Sequence, residues 1–381
     1  MAGVAGRRGR QPRTMQDTID PPSELSGGTD SPHRSEPPAS TRSPSDSSVT
    51  SNNSPAASND SSTRPSADGR RLATAFAWGS PFTALVAAVE TLIATVLLGV
   101  SPTVAPAVVA LVTFAVYSVD HVADADTDAA STPNRALVAR RYGDQLMIAA
   151  ALAYGLAVAV AVTGGPLALA LTLLPGAFWV VYASDWLPDL GRAVGAALAS
   201  ITPDDRIAGR VGATVTDGGR SYVPRLKDVL VVNSVVVAAG WATALTFLPI
   251  AFAGSSAGPT VPVVFAYFLL RSFVDAELPN VRDVEADAAV GVATLPVVFG
   301  VARTRWVLYG VDLLAAGIVT AAAVAGLLAW PLVGALGVGI AASVCITALA
   351  GRIDDASVLG IAPDCSYLVV GVAIAGVTLV G

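Results

Sequence analysis

The sequence predicts an all-α, polytopic membrane protein, with about nine transmembrane helices in a bundle and a charged cap on one side. Of its 381 residues, 53% are hydrophobic and only 14% are charged, whereas a soluble domain carries about 25% charged residues. Three uncharged runs, 145–184, 229–270 and 313–351, are each long enough for two spans of about 20 residues. Because lipid offers the backbone no hydrogen bonds, such segments cross it as helices. The composition therefore excludes a soluble enzyme of the Rossmann or barrel type.

The individual spans follow from cutting the uncharged runs where glycine and proline mark turns. In the three longest runs these breaks lie at 163–166, 254–262 and 329–331. The predicted spans are roughly 73–99, 104–124, 145–163, 167–186, 229–250, 260–279, 304–327, 331–350 and 358–380.

Two domains are predicted, a tail at residues 1–70 and a membrane domain at 71–381. The tail is rich in Ser, Pro and Arg and has no apolar cluster. Such a segment cannot bury enough surface to offset its ordering entropy, so we expect it to be disordered. No apolar core of a signal peptide occurs before residue 72. The tail is interpreted as a non-functional extension or as the result of a start codon placed too far upstream.

The basic residues predict the orientation. All 23 Lys and Arg residues lie in the N-terminal segment or in the connections that follow the even-numbered spans, counting the edges of those connections. Because basic loops stay in the cytoplasm, we expect a cell-membrane protein whose N-terminus and charged loops are cytoplasmic. The net charge of −6 makes a nucleic-acid partner improbable. Cys345 and Cys365 lack the spacing of a disulfide framework or a zinc site.

An acidic cluster follows the second predicted span. Asp120, Asp124 and Asp128 are spaced i, i+4 and i+8, and His121 lies on the same side of the helix if the span continues helically. Carboxylates placed in this way repel one another unless cations lie between them. Mg²⁺ suits such a place, because it typically takes one or two carboxylates together with substrate phosphates.

A second acidic cluster follows the sixth predicted span, on the same side of the membrane. Asn280, Asp283 and Asp287 are spaced i, i+3 and i+7, which again places them on one helical face. The cluster is followed by Gly291, Thr294, Leu295 and Pro296. One interpretation is a pair of carboxylate faces that share a magnesium–diphosphate group. The alternative is a pair of solvated loops, since surface Asp needs no special explanation.

The two clusters resemble the aspartate-rich motifs of the UbiA-type intramembrane prenyltransferases. The family's first motif reads N-D-x-x-D-x-x-x-D and then P-x-R, and the matching positions are Asp124, Asp128, Pro133 and Arg135. Residues 280–296 look like the second motif and its G-x-x-T-L-P tail, and Arg225 to Lys227 are similar to the family's basic stretch. Asp120 and His121 stand where the family has N-D, and Asn280 replaces a leading Asp.

The resemblance implies the transfer of a polyprenyl group from an isoprenyl diphosphate to a hydrophobic or aromatic acceptor, with a quinone precursor or a lipid as the first choice. It implies Mg²⁺ as cofactor, membrane lipid as surroundings, and a cap formed by residues 187–226. The implied catalytic metal ligands are Asp124, Asp128, Asp283 and Asp287. The implied substrate-binding residues are Asp120, His121, Arg135, Lys227, Asn280 and Arg282. The alternative function is that of a transporter or a cation-binding membrane protein without enzymatic activity.

Two further carboxylates, Glu90 and Asp312, fall within predicted spans. Ionisable residues inside a membrane are functional candidates by default. They are equally compatible with a hydrogen bond to a neighbouring helix or with a place near the interface.

Overall fold

The computed structural model describes residues 79–126, 132–183, 232–290, 293–353 and 356–380, together with the isolated residues 74, 76 and 129. These residues belong to one compact unit, residues 63–381. The predicted tail, Asp128, Lys227 and the predicted cap at 187–226 lie outside the described residues.

The described chain is helical throughout, which confirms the predicted all-α class. The helices are α1 (Ser80–Leu98), α2 (Ala105–Ala123), α3 (Pro133–Thr163), α4 (Gly165–Ala183), α5 (Val232–Ala253), α6 (Val261–Arg282), α7 (Val284–Val290), α8 (Leu295–Phe299), α9 (Val301–Val324), α10 (Trp330–Leu349) and α11 (Ala356–Val380).

Seven helices of the described chain are long and apolar enough to cross a membrane, namely α1, α2, α3, α5, α9, α10 and α11. This finding supports a multi-pass membrane protein. Gly165–Ala177, within α4, is a further apolar helical stretch of the described chain. The second half of α6 carries Arg271, Asp275 and Glu277. A helix lies at each predicted segment, but the count of nine spans is not confirmed.

One helix begins earlier than predicted. α3 starts at Pro133, whereas the sequence predicted a span from 145, and it contains a kink at Tyr142 (φ −123°, ψ 21°). Proline suits the first turn of a helix because its missing N–H is not needed there. The first turns of α3 are charged, with Arg135, Arg140 and Arg141, so a prediction based on uncharged runs leaves them out.

The helices form a closed bundle. Helices that follow one another along the chain pack side by side, and α11 packs against α1, which closes the ring. Within it, α6 contacts α1, α5, α9 and α11, and its Tyr267 and Phe268 belong to the main hydrophobic core. Between α10 and α11 the helices come close because Gly339 has no side chain; a Cβ there would overlap Val370.

One end of the bundle, which we call the charged end, contains the ends of α2, α6 and α10 and the beginnings of α1, α9 and α11. The Ser80 hydroxyl lies 3.2 Å from His121 Nδ1. The guanidinium of Arg282 lies against Gly360, where a Cβ would be 2.9 Å from its Nη1. Nη1 of Arg305 donates to the carbonyl of Ala350 at 2.8 Å.

A hydrophobic cluster lies just inside the charged end and joins α6, α9, α10 and α11. Its buried members include Val274, Leu278, Leu308, Ile346 and Leu359. Both aspartate-rich segments emerge at the charged end.

Candidate functional site

The second aspartate-rich segment lies at the junction of α6 and α7. Asp283 interrupts the helix (φ −95°, ψ 10°), and its N–H donates to the carbonyl of Pro279 at 3.0 Å. α7 then begins, and the N–H of Asp287 donates to the carbonyl of Asp283 at 2.8 Å. The two carboxylates are therefore one helical turn apart, as the sequence predicted. Asn280 lies before the interruption, and its amide donates to Glu277 at 3.1 Å.

The carboxylate of Asp283 is held by its neighbour in sequence. Arg282 donates from Nε to one oxygen of Asp283 at 2.8 Å and from Nη2 to the other. The side chains are 11% and 20% exposed, so the pair is partly shielded from water. A two-pronged pair of this kind is stronger than an ordinary hydrogen bond and fixes the plane of the carboxylate. Arg282 thus places a cation beside the predicted metal ligands.

Asp287 is held by the tail of the same motif. The hydroxyl of Thr294, the residue immediately before α8, donates to Asp287 Oδ2 at 3.4 Å. Burial raises the pKa of Asp287 to about 6, and the negative charge of Asp283 adds to this rise. The side chain is therefore mostly ionised at neutral pH, and a nearby cation would stabilise the ionised form. The sequence predicted the tail of the motif but not this contact.

The first aspartate-rich segment ends α2. The helix stops at Ala123, and the N–H of Asp124 donates to the carbonyl of Asp120 at 2.8 Å. Asp120 is exposed and Asp124 is half-buried. The chain then turns, and Asp126 forms an exposed pair with Arg140 at 2.9 Å. The predicted helical continuation is therefore not found between Asp124 and Asp126.

The other residues predicted at the first segment are grouped around His121. In addition to Ser80, its ring contacts that of Tyr117 edge to face, with centroids 6.1 Å apart. Arg135 is half-buried in the first turn of α3 and lies within electrostatic range of His121. The ends of α1, α2 and α3 thus bring these two predicted substrate-binding residues together.

Among the residues that the structure describes, no three His, Cys, Asp or Glu side chains lie close enough together to hold a metal ion. Asp283 and Asp287 supply one pair of carboxylates, and Asp124, immediately after α2, supplies a single further carboxylate. Since Mg²⁺ usually takes one or two protein carboxylates and completes its shell with water and phosphate, these donors fit a substrate-bridged Mg²⁺ and not an all-protein cage.

A buried polar network deeper in the bundle was not predicted. Arg271 of α6 donates to Asp312 of α9 at 3.1 Å and to Ser366 of α11 at 3.0 Å. Ser343 of α10 donates to the other oxygen of Asp312 at 3.0 Å. The pattern of basic residues predicted Arg271 at the edge of the connection after the sixth span, which is wrong, because Arg271 is 1% exposed inside α6. Asp312 makes the interhelical hydrogen bonds considered for it.

More carboxyl groups adjoin this network. Asp275 lies one turn after Arg271, at 3.6 Å from its guanidinium, and accepts a 2.6 Å hydrogen bond from Tyr367. Glu90 of α1 is 3% exposed and lies within electrostatic range of Asp364 and Asp275. Glu90 was predicted from the sequence as a functional candidate, but Asp275 and Asp364 were not. The i, i+4 spacing of Arg271 and Asp275 within an apolar segment is a signal that could have found Asp275.

Residues 206–358 match the sequence profile of the UbiA prenyltransferase family. This segment of the chain is similar to that family. The match includes the second aspartate-rich segment, with Asp283, Asp287 and Thr294, and the buried Arg271–Asp312 pair. The similarity of this segment is therefore to a family of prenyltransferases.

Two solved structures are similar to the fold. One is from a study of digeranylgeranylglyceryl phosphate synthase in membranes, with 12% identity and a TM-score of 0.46, covering 79% of this chain and 96% of that one. The other is a UbiA homolog from Archaeoglobus fulgidus bound to DMAPP and Mg²⁺, with 13% identity and a TM-score of 0.41, covering 81% and 99%. No curated protein sequence matches the chain.

Proposed function

We propose that this protein transfers a prenyl group from an isoprenyl diphosphate to a lipophilic acceptor within the membrane, with Mg²⁺ as cofactor. The observation that carries the proposal is the arrangement of the second motif inside the family match. Asp283 and Asp287 lie one turn apart at the end of α6, with Arg282 on one carboxylate and Thr294 on the other.

The proposed ligands of Mg²⁺ are Asp124, Asp128, Asp283 and Asp287. When bound, Mg²⁺ would neutralise the charge that develops on the leaving diphosphate. The protein's own part is to hold ionised carboxylates in place, which Arg282 and Thr294 do for Asp283 and Asp287.

The proposed contacts to the diphosphate come from the basic and polar residues around the motifs. Arg282, Arg135 and Lys227 carry positive charge, and His121 and Asn280 can donate hydrogen bonds. A guanidinium matches phosphate oxygens in a two-pronged geometry. Arg282 can therefore exchange its present partner, Asp283, for a diphosphate when metal takes up the carboxylate. Asp120 is proposed to compensate for the carboxylate that His121 replaces.

The bundle supplies the surroundings of the reaction. Loss of diphosphate leaves an allylic carbocation, which water would quench. The core between α1, α5, α6 and α11 is apolar, with Leu245, Phe268 and Tyr367 fully buried. We propose that the prenyl chain lies against apolar side chains of this kind, which would keep water from the cation. By the distribution of Arg and Lys, we place the charged end of the bundle and the N-terminus on the cytoplasmic side.

The test uses the full chain in lipid nanodiscs, labelled geranylgeranyl diphosphate, Mg²⁺ and an extract of host lipids. We expect a labelled lipid product that disappears with EDTA and falls at least a hundredfold in Asp283→Asn and Asp287→Asn. Glu285→Gln is the matched control, because Glu285 is an exposed acid on the same short helix. A product that survives both substitutions, or the absence of any Mg²⁺-dependent product, contradicts the proposal.

A further inference from the structure

Glu277 is a buried side chain between the Arg271 network and the second motif. It is 1% exposed near the end of α6 and accepts a hydrogen bond of 3.1 Å from the amide of Asn280. The hydroxyl of Ser234, in the first turn of α5, also hydrogen-bonds to it, and Ser234 is 4% exposed. Because a carboxyl oxygen accepts in either protonation state, these contacts do not require a charged Glu277. We call Ser234, Glu277 and Asn280 the α5–α6 latch.

The latch spans a break in the backbone of α6. Pro279 lies inside the helix, between Glu277 and Asn280. Since proline has no N–H, the carbonyl of Asp275 receives no helical hydrogen bond from residue 279. The last turn of α6 is therefore joined to the rest of the helix by fewer backbone hydrogen bonds. The contact between Glu277 and Asn280 connects the two sides of the proline through side chains instead.

The last turn of α6 is attached to its neighbours in two ways. Val281 and Leu278 are buried in the hydrophobic cluster that joins α6 to α9, α10 and α11, whereas the latch connects the turn to α5. Apolar contacts are not directional, but hydrogen bonds are, so the latch restricts how the turn is oriented. Asp283 follows directly, and its N–H donates to the carbonyl of Pro279 at 3.0 Å. The orientation of the turn therefore determines where Asp283 lies.

We propose that Glu277 is a positioning residue of the second motif. It holds the amide of Asn280, anchors it to α5 and so fixes the turn that carries Asp283. Glu277 acts through these residues and contacts neither metal nor diphosphate itself. This inference rests on the proposed prenyl transfer. Hydrogen bonds that support the residues of a metal site typically change metal affinity or activity by about 10- to 100-fold.

The test uses the full chain in nanodiscs and measures the Mg²⁺-dependent binding of geranylgeranyl diphosphate by calorimetry, with denaturant unfolding of the same samples. Glu277→Ala removes both hydrogen bonds and should weaken binding by about tenfold. Glu277→Gln keeps an oxygen that accepts from Asn280 and adds an amide that can donate to the hydroxyl of Ser234. If position and not charge matters, the glutamine variant should therefore bind nearly as tightly as the wild type.

The matched control is Thr95→Ala. Thr95 is 3% exposed and donates to the carbonyl of Thr91 at 2.7 Å, near the end of α1 that lies away from the motifs. This variant also loses a buried hydrogen bond and should be less stable, but it should bind the diphosphate normally. A double variant, Glu277→Ala with Asn280→Ala, should bind no more weakly than Asn280→Ala alone, because the latch reaches the turn through Asn280.

The outcomes separate the latch from the proposed function. Unchanged binding in Glu277→Ala, an equal loss in Glu277→Gln, or losses that add fully in the double variant overturn the latch. If Glu277→Ala does not fold, Ser234→Ala replaces it, and binding as tight as in the wild type has the same meaning. No Mg²⁺-dependent binding to the wild type contradicts the proposed prenyl transfer and this inference with it. Normal wild-type binding that the latch variants leave unchanged contradicts the latch alone.

Discussion

Asp312→Asn is expected to destabilise the protein because Asp312 is a partner of a fully buried arginine. Asp312 and Arg271 are 0% and 1% exposed and lie 3.1 Å apart. The substitution keeps the shape of the side chain and one oxygen that can accept from Ser343, but it removes the charge. The guanidinium is then left with Asp275, 3.6 Å away.

The size of the effect follows from the burial of the pair. At an effective dielectric constant of about 20, unit charges about 4 Å apart attract by about 4 kcal/mol. Removing one partner of a buried pair costs about 3 to 5 kcal/mol, because the other charge stays in the interior. Since Asp275 still compensates part of the charge, we expect the free energy of unfolding to fall by about 3 kcal/mol.

The assay is denaturant unfolding in mixed micelles, followed by tryptophan fluorescence. Ser343→Ala removes one hydrogen bond and no charge, so we expect a fall of about 1 kcal/mol. Asp126→Asn is the control, because Asp126 pairs with Arg140 at a similar distance, 2.9 Å, but the side chains are 96% and 52% exposed. We expect no measurable change there. If Asp312→Asn destabilises the protein no more than Asp126→Asn, the buried pair does not stabilise the bundle.

Three further predictions concern the charged end and the packing of the bundle. The substitution Arg282→Gln releases the carboxylate of Asp283, so Mg²⁺ should bind more tightly in the absence of diphosphate, while KM for the diphosphate should rise. Calorimetry that shows weaker Mg²⁺ binding contradicts the exchange of Arg282 between Asp283 and the diphosphate. Because the pKa of Asp287 is raised to about 6, the proton competes with Mg²⁺ below that pH. The Mg²⁺ concentration for half-maximal activity should therefore rise steeply from pH 6 to 5 and stay flat from 7 to 8; a flat profile throughout excludes Asp287 as a ligand. Gly339→Ala should lower stability by about 1 to 3 kcal/mol through overlap with Val370, whereas Gly337→Ala, with open space around its Cβ, should not.

The sequence was sufficient for the fold class, because apolar runs and Gly-Pro breaks report directly on transfer to lipid. It also predicted the one-turn spacing of Asp283 and Asp287. It could not predict that Asp283 interrupts the helix and separates Asn280 from the motif. That interruption depends on where the chain turns towards α8, and a regular spacing of carboxylates does not reveal it.

The partners of the carboxylates were harder to predict than their positions. Thr294 contacts Asp287, and Arg282 lies against Gly360 of α11. Neither contact has a periodic signal, because each joins segments that meet only in the folded bundle. The pairing of Arg271 with Asp312 is of the same kind, since 41 residues separate the two positions. Hydropathy registers each of these charges only as an interruption of an apolar run.

The position of α6 ties the buried network to the proposed catalytic site. Within an otherwise apolar segment, α6 carries three charged residues, Arg271, Asp275 and Glu277. It occupies the bundle because α9, α10 and α11 supply Asp312, Ser343 and Ser366. The same helix ends at Arg282, next to the proposed metal ligands. A substitution that loosens the network therefore acts on the second motif at a distance. For this reason Asp312→Asn, at low denaturant where the fold persists, should weaken Mg²⁺ binding as well as stability.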